Sequence, residues 1–189
     1  MIRTMPEVSF LNLIERCKNG DRAAQKKLYQ DHYGMAMGIC LRYCQTREEA
    51  LEVLNDGFMK VFKNLHKFKP SLSFKSWLKR ILINTSIDFY RNQQKHYYHQ
   101  DISSAYTESS NTPAPDSNLR TGELMQLLKE LPNSYRIAFT MFAIEGYSHQ
   151  EVAESMNISV GTSKSNVSRA RDILRKKVLA LAEEVPNQK

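Results

Sequence analysis

The sequence predicts an all-α protein of two small helical domains joined by a flexible linker, with a helix-turn-helix at the C-terminal end. Three observations predict it. Only 7 Gly and 6 Pro punctuate the 189 residues, and two long stretches repeat apolar residues at three- and four-residue spacing. No run of strict apolar-polar alternation marks a strand. Between the two stretches the periodicity disappears into a segment crowded with Ser, Thr and Pro, which divides the chain.

The N-terminal domain, residues 1–94, reads as four helices. Val8, Leu11, Ile14 and Cys17 make the first apolar stripe, ended by Asn19-Gly20, a pair suited to the left-handed backbone that stops a helix. Asp21 can cap a second helix, which carries Ala24, Leu28, Tyr29, Met35, Ile39 and Tyr43 at helical spacing. Thr46-Arg47-Glu48-Glu49 is a capping-box restart. The third helix, from Glu48, buries Val53, Leu54, Phe58, Val61, Phe62 and Leu65 and shows Glu48, Glu49, Glu52 and Asp56 on its other side.

Pro70 forbids helix in the loop Lys67–Ser73, and Ser73 is available to cap a fourth helix. That helix runs from Phe74 to Gln94, burying Phe74, Trp77, Leu78, Ile81 and Leu82 while Lys75, Lys79, Arg80 and Arg91 stay outside. The linker follows over 95–118. The second domain, 119–185, opens with a helix bearing Leu124, Leu127, Leu128 and Leu131, broken at Pro132. A further helix runs through Ile137, Phe139, Met141, Phe142 and Ile144 to Gly146.

The segment from Tyr147 to Thr162 carries the most information. Ser148 with Glu151 forms a capping box that starts a short helix. Ala153 is small where two helices must cross closely, and Asn157 tolerates the left-handed turn. Ile158 plugs the angle between the helices and Ser159 caps the second, which is the order a helix-turn-helix requires. The second helix then places Val160, Val167, Ala170, Leu174 and Val178 inward. Thr162, Lys164, Ser165, Ser168, Arg169 and Arg171 are left on outward positions able to meet bases and phosphates in a major groove.

The charge agrees with a polyanionic partner: 27 Lys plus Arg against 20 Asp plus Glu give a net +7. The N-terminus has no apolar signal core and no stretch of about 18 uncharged apolar residues occurs, so the expectation is a soluble, cytoplasmic protein. The 3 Cys, at 17, 40 and 44, include no C-x-x-C pair. Cys40 and Cys44 are four apart with His32 upstream, yet buried thiols on an apolar helix face are the commoner arrangement, so no metal and no other cofactor is expected. The acids of the third helix form a face without His or Cys beside them at ligand spacing, which argues against a nuclease or recombinase and for a protein that is not an enzyme.

At these residues the chain resembles the extracytoplasmic-function (ECF) group of sigma factors in the sigma-70 family, over nearly its whole length. Leu131-Pro132-Asn133-Ser134-Tyr135-Arg136, Glu145-Gly146-Tyr147-Ser148-His149-Gln150-Glu151-Val152-Ala153-Glu154, Ser159-Val160-Gly161-Thr162-Ser163-Lys164-Ser165 and Ser168-Arg169-Ala170-Arg171 are similar to the family's fourth conserved region. The resemblance implies that this domain reads the minus-35 promoter element as duplex through Thr162, Lys164, Ser165, Ser168, Arg169 and Arg171, with Lys164 and Arg169 foremost.

Ala50-Leu51-Glu52-Val53-Leu54-Asn55-Asp56-Gly57-Phe58 resembles the family's helix that docks on the clamp of RNA polymerase, implying contacts from Glu49, Glu52, Asn55, Asp56 and Phe58. An acidic face backed by an apolar stripe suits a basic partner helix. Phe68, Phe74, Trp77, Leu78, Ile81, Asn84, Asp88 and Arg91 resemble the minus-10 recognition and melting region. Lys67, Phe68, Ser71, Ser73, Lys75, Lys79 and Asn84 are the implied contacts to unpaired bases and nearby phosphates. The helical spacing of Phe74, Trp77 and Ile81 fits a core better than a stacking surface.

The implied partners are core RNA polymerase, promoter DNA and an anti-sigma factor. Five positions depart from the family pattern: Leu51-Glu52 replaces a Glu-Asp pair, Asn55 replaces Gln, Ser163 an apolar residue and Asn166 an Arg. The last two imply a weaker core anchor and a different sequence preference. A stand-alone helix-turn-helix regulator is the rival reading; it would bind its operator without polymerase, and the acidic third helix beside a basic, aromatic fourth argues against it.

Overall fold

Helix α1, Met5–Lys18, opens the computed structural model of the chain, which describes residues 5–100 and 125–184. The side chain of Val8, residues Leu119 and Leu124, and the linker segment 101–118 lie outside the described residues. No strand occurs among the described residues. Two compact units form: one runs up to Cys40 and from Arg47 to Phe89, the other takes Leu41–Thr46 and the chain from Tyr90 onward.

In the first unit, α1 stops as the Asn19-Gly20 pair predicts. Gly20 has φ +78° and its N–H reaches the Cys17 carbonyl at 3.1 Å. The Asp21 carboxylate accepts from the N–H groups of Ala23 (2.9 Å) and Ala24 (3.1 Å), satisfying the start of α2, Arg22–Tyr43. Helix α3, Arg47–Asn64, buries Ala50, Val53, Leu54, Gly57, Phe58 and Val61, and a 3-10 turn over Leu65–Lys67 buries Leu65. Phe62 is half-buried.

Helix α4 extends from Phe74 to Gln100, six residues beyond the predicted stop at Gln94 and into the stretch assigned to the linker. The reason is local: no Gly or Pro stands between Phe74 and Gln100, and long polar side chains such as Gln93, Gln94 and Lys95 are good helix formers. Leu78, Leu82, Ile83 and Ile87 fill the core face. Thr85 and Ser86 sit inside it because their hydroxyls donate to the Ile81 (2.8 Å) and Leu82 (2.9 Å) carbonyls one turn back.

The second unit is centred on Leu127, Leu128, Leu131, Ala170 and Leu174, with Met125, Tyr135, Phe139 and Ile173 packed against them. Residues 125–129 are helical (α5), Pro132 ends that segment, and α6 covers Asn133–Phe139. Thr140–Ile144 continue as a π-helix, closed at Gly146 with φ +82°. Ile144, the last residue of that turn, is exposed. Arg136 is buried in this unit, its guanidinium donating to Asn133 Oδ1 (2.9 Å) and the Tyr43 carbonyl (3.1 Å). Helices α7, His149–Met156, and α8, Val160–Glu184, complete the unit, both α6 and α7 packing on α8.

Candidate nucleic-acid interface

The link between α7 and α8 is assembled as its residues dictate. Ser148 caps α7 by accepting from the Glu151 N–H at 3.2 Å, and the Glu151 carboxylate accepts from the Ser148 N–H at 2.8 Å, a complete capping box. Asn157 takes the left-handed conformation, φ 55°, and is the one non-glycine residue with positive φ among the described residues. The Ile158 N–H returns to the Ala153 carbonyl at 3.0 Å, and Ser159 Oγ accepts from the Thr162 N–H at 2.9 Å to start α8.

Helix α8 buries Val167, Ala170 and Leu174, as the pattern requires. Val160 and Val178 are exposed instead, correcting two inward assignments. Val160 is the first residue of α8, ahead of the packed turns, and Val178 lies beyond Leu174, the last α8 member of the core cluster. Ser163 and Asn166, the two departures from the family pattern on this helix, are both buried. Ser163 is fully enclosed, and its hydroxyl lies 3.1 Å from His149 Nδ1.

Thr162, Lys164, Ser165, Ser168, Arg169 and Arg171 are all exposed, and they differ in freedom. The Thr162 hydroxyl shares a 2.8 Å hydrogen bond with Ser159, and Ser165 donates back to the Gly161 carbonyl at 3.0 Å. Lys164 makes no hydrogen bond or ion pair among the described residues, so its ammonium is fully available. Arg169 donates from Nη1 to the Tyr135 hydroxyl at 2.9 Å and lies over that ring, 5.9 Å from its centroid. Arg171 lies 5.6 Å from the Phe142 centroid. Phe142 also stacks on His149 with centroids 4.1 Å apart. The sequence reading missed these aromatic seats because Tyr135, Phe142 and His149 come from segments distant in sequence from α8.

On α3 of the first unit, Glu52, Asn55 and Asp56 are exposed and Glu49 is half-buried. Phe58 is only 2% exposed, packed on Tyr29 with ring centroids 4.6 Å apart. The ring, an implied polymerase contact, is turned inward as the helical spacing predicts and supports the helix from beneath. Asn55 Oδ1 accepts from the Tyr29 hydroxyl at 3.1 Å, so this bond does not engage its amide N–H groups. Two apolar side chains share this exposed face, Leu51 at 41% and Met59 at 69% exposure, one helical turn to either side of Asn55.

Lys67, Ser71, Ser73 and Lys75 are exposed around the loop before α4, with Asn84 exposed further along the helix and Lys79 half-buried. Ser73 Oγ accepts from the Ser76 N–H at 3.4 Å, the cap expected of it. Phe68, an implied minus-10 contact, is likewise turned inward. It is 4% exposed and meets Phe74 edge-on, 5.4 Å and 89° apart, so it anchors the loop. Phe74 is buried against Phe10 and His32, and Trp77 and Ile81 are half-buried. Leu72, flanked by Ser71 and Ser73, is an exposed apolar residue that periodicity did not flag. Asp88 pairs with Lys60 of α3 at 3.2 Å.

Cys17, Cys40 and Cys44 are free thiols buried in the core, and among the described residues no group of three His, Cys, Asp or Glu side chains could hold a metal ion. No helix among the described residues is long and apolar enough to cross a membrane.

Residues 28–96 match the Sigma-70 region 2 family and residues 121–174 match Sigma-70 region 4. The chain is 27% identical over 180 residues to an ECF RNA polymerase sigma-E factor of Haemophilus influenzae, covering 89% of this chain and 95% of that protein. It is 27% identical over 183 residues to the RNA polymerase sigma-H factor of Pseudomonas aeruginosa, covering 91% and 95%. Among solved structures, the sigma factor RpoE from Bartonella quintana, determined in complex with the anti-sigma factor NepR, shares the fold. Its TM-score is 0.54 at 24% identity, covering 86% of this chain and 98% of that one.

Proposed function

The chain belongs to the sigma-70 family, in its ECF group, and from that premise we propose that it directs core RNA polymerase to promoters by dividing three tasks between two domains. The N-terminal domain, through α4, docks on polymerase by the exposed face of α3. It engages the melted minus-10 element through Lys67, Ser71, Ser73, Lys75, Lys79 and Asn84. The C-terminal domain, 119–185, reads the minus-35 element as duplex through the outward residues of α8. The Ser-, Thr- and Pro-rich composition of the linker sequence, 95–118, suits a connection that lets each domain reach its own element.

The observation that carries this reading is the pairing, on one chain, of an exposed acidic helix face with a donor-rich helix-turn-helix. Binding of the unpaired strand offsets the local cost of opening base pairs. Sigma factors are initiation factors, and polymerase performs the chemistry. An anti-sigma factor is the regulatory partner this reading adds; its support is the solved relative captured with one.

The test is to reconstitute the chain with a bacterial core polymerase and sequence the transcripts made from a genomic library. Transcripts starting downstream of a shared pair of elements are the predicted result. Start sites indistinguishable from those of core polymerase alone would overturn the reading.

A further inference from the structure

We propose that Tyr135 is a positioning residue that holds Arg169 ready for a backbone phosphate of the upstream duplex; the proposal rests on the reading of α8 as the duplex-contacting helix. The Tyr135 hydroxyl accepts from Arg169 Nη1 at 2.9 Å while the guanidinium lies over the ring, 5.9 Å from the centroid. A hydrogen bond and a cation-π contact to one side chain fix both the place and the tilt of a group that would otherwise sample many rotamers.

The seat itself is rigid. Tyr135 stands in α6 and packs against the cluster of Leu127, Leu128, Leu131, Ala170 and Leu174. Ala170, the neighbour of Arg169 in the chain, is fully buried in that same cluster, so α6 and α8 are locked together at this point. Tyr135 Oη engages one N–H of the guanidinium, and the remaining donors are left for an anion.

Position decides which anion. A recognition helix meets base edges with its N-terminal residues. Thr162, Lys164 and Ser165 stand in that part of α8, whereas Arg169 lies roughly two and a half turns beyond Val160, toward the rim of the groove where the sugar-phosphate backbone runs. A guanidinium tied back to α6 at that depth grips a phosphate and carries no base information. Lys164, with no hydrogen bond or ion pair among the described residues, can reach a base or a phosphate.

The experiment uses the full chain assembled with core polymerase, a mapped promoter duplex, and the same duplex with its upstream element scrambled, each titrated across salt. Tyr135→Phe keeps the ring and its packing and removes only the acceptor. It is predicted to weaken binding about fivefold on both duplexes. Arg169→Ala is predicted to weaken it about tenfold and to make the slope of log K against log salt shallower by about 0.9, the loss of one phosphate contact. In the Arg169→Ala background Tyr135→Phe adds nothing. Arg169→Lys, which keeps the charge and loses the planar fork, holds the slope and loses affinity.

Wild-type binding by Tyr135→Phe beside a weakened Arg169→Ala would overturn the positioning role. So would a Tyr135→Phe penalty that persists undiminished without Arg169, one confined to the intact upstream element, or full affinity in Arg169→Lys. Wild-type binding by Arg169→Ala at every salt concentration would instead overturn the underlying reading of the α8 face.

Discussion

His149 Nδ1 lies 3.1 Å from the hydroxyl of Ser163, and that contact allows a polar side chain to occupy a fully enclosed position in the helix-turn-helix. A buried hydroxyl without a partner costs stability. Here His149, itself stacked on Phe142, supplies the partner from the first position of α7. The predicted consequence is non-additivity. His149→Ala destabilises the protein by about 1–3 kcal/mol because it strands the hydroxyl, and Ser163→Ala in that background recovers part of the loss. Denaturant midpoints of the two single variants and the double variant check it; additive losses would contradict the pairing.

Gly57 is a packing requirement of the first unit. A Cβ built on Gly57 would stand 2.6 Å from Leu82 Cδ2 and 3.6 Å from its Cγ. Leu82 is fully buried on α4, so any shift of its side chain must be taken up by the core around it. Gly→Ala inside a helix ordinarily stabilises by up to about 1 kcal/mol. Gly57→Ala is therefore predicted to reverse that sign and destabilise by about 1–2 kcal/mol through overpacking. Thermal unfolding measures it, and a stabilised Gly57→Ala would contradict the packing argument.

Asp21 gives the fold an acid-sensitive cap. Its carboxyl is held below the usual carboxylate range, first by the Ala24 backbone N–H and then by the Arg16 guanidinium, 2.8 Å away. A lowered pKa in the folded state means that the cap contributes fully above the unfolded value and is lost as pH falls through the folded one. Unfolding midpoints followed between about pH 5 and pH 2 should fall less steeply in Asp21→Asn, which keeps a capping oxygen but has no charge to lose. Identical acid profiles would remove the cap from the account.

Leu51 and Met59 enlarge the α3 face beyond its charges. Both are exposed apolar residues beside Glu52, Asn55 and Asp56, and desolvated apolar contacts at the centre of an interface dominate affinity. Met59→Glu is predicted to weaken capture of core polymerase roughly tenfold or more, with the thermal midpoint unchanged because the side chain is 69% exposed. Surface-plasmon titration of immobilised core polymerase reads this directly, and unaltered affinity would confine the docking surface to its charged residues.

Much of the fold was legible because its punctuation is local. Asn19-Gly20, Asp21, Pro132, the Ser148–Glu151 box, Asn157 and Ser159 each do in the structure what their chemistry dictates. The overrun of α4 to Gln100 escaped notice because a change in composition was read as a change in structure, although nothing before Ser103 breaks a helix. Phe58 and Phe68 show the limit for sites. Helical spacing already placed Phe58 inward, where it packs on Tyr29, whereas Phe68 stands in a loop without periodicity and only its packing on Phe74 reveals that the ring points inward. The seats of Arg169 and Arg171 are long-range contacts and had no signal in any single segment.

The central claim is that one chain is steered to promoters by the polymerase it docks on, and the direct measurement is co-elution of the purified full-length protein with bacterial core RNA polymerase. The account predicts a stable complex that survives Lys164→Ala with Arg169→Ala and is lost on Glu52→Lys with Asp56→Lys. A chain that elutes apart from core polymerase, however well it binds a duplex by itself, would contradict the account.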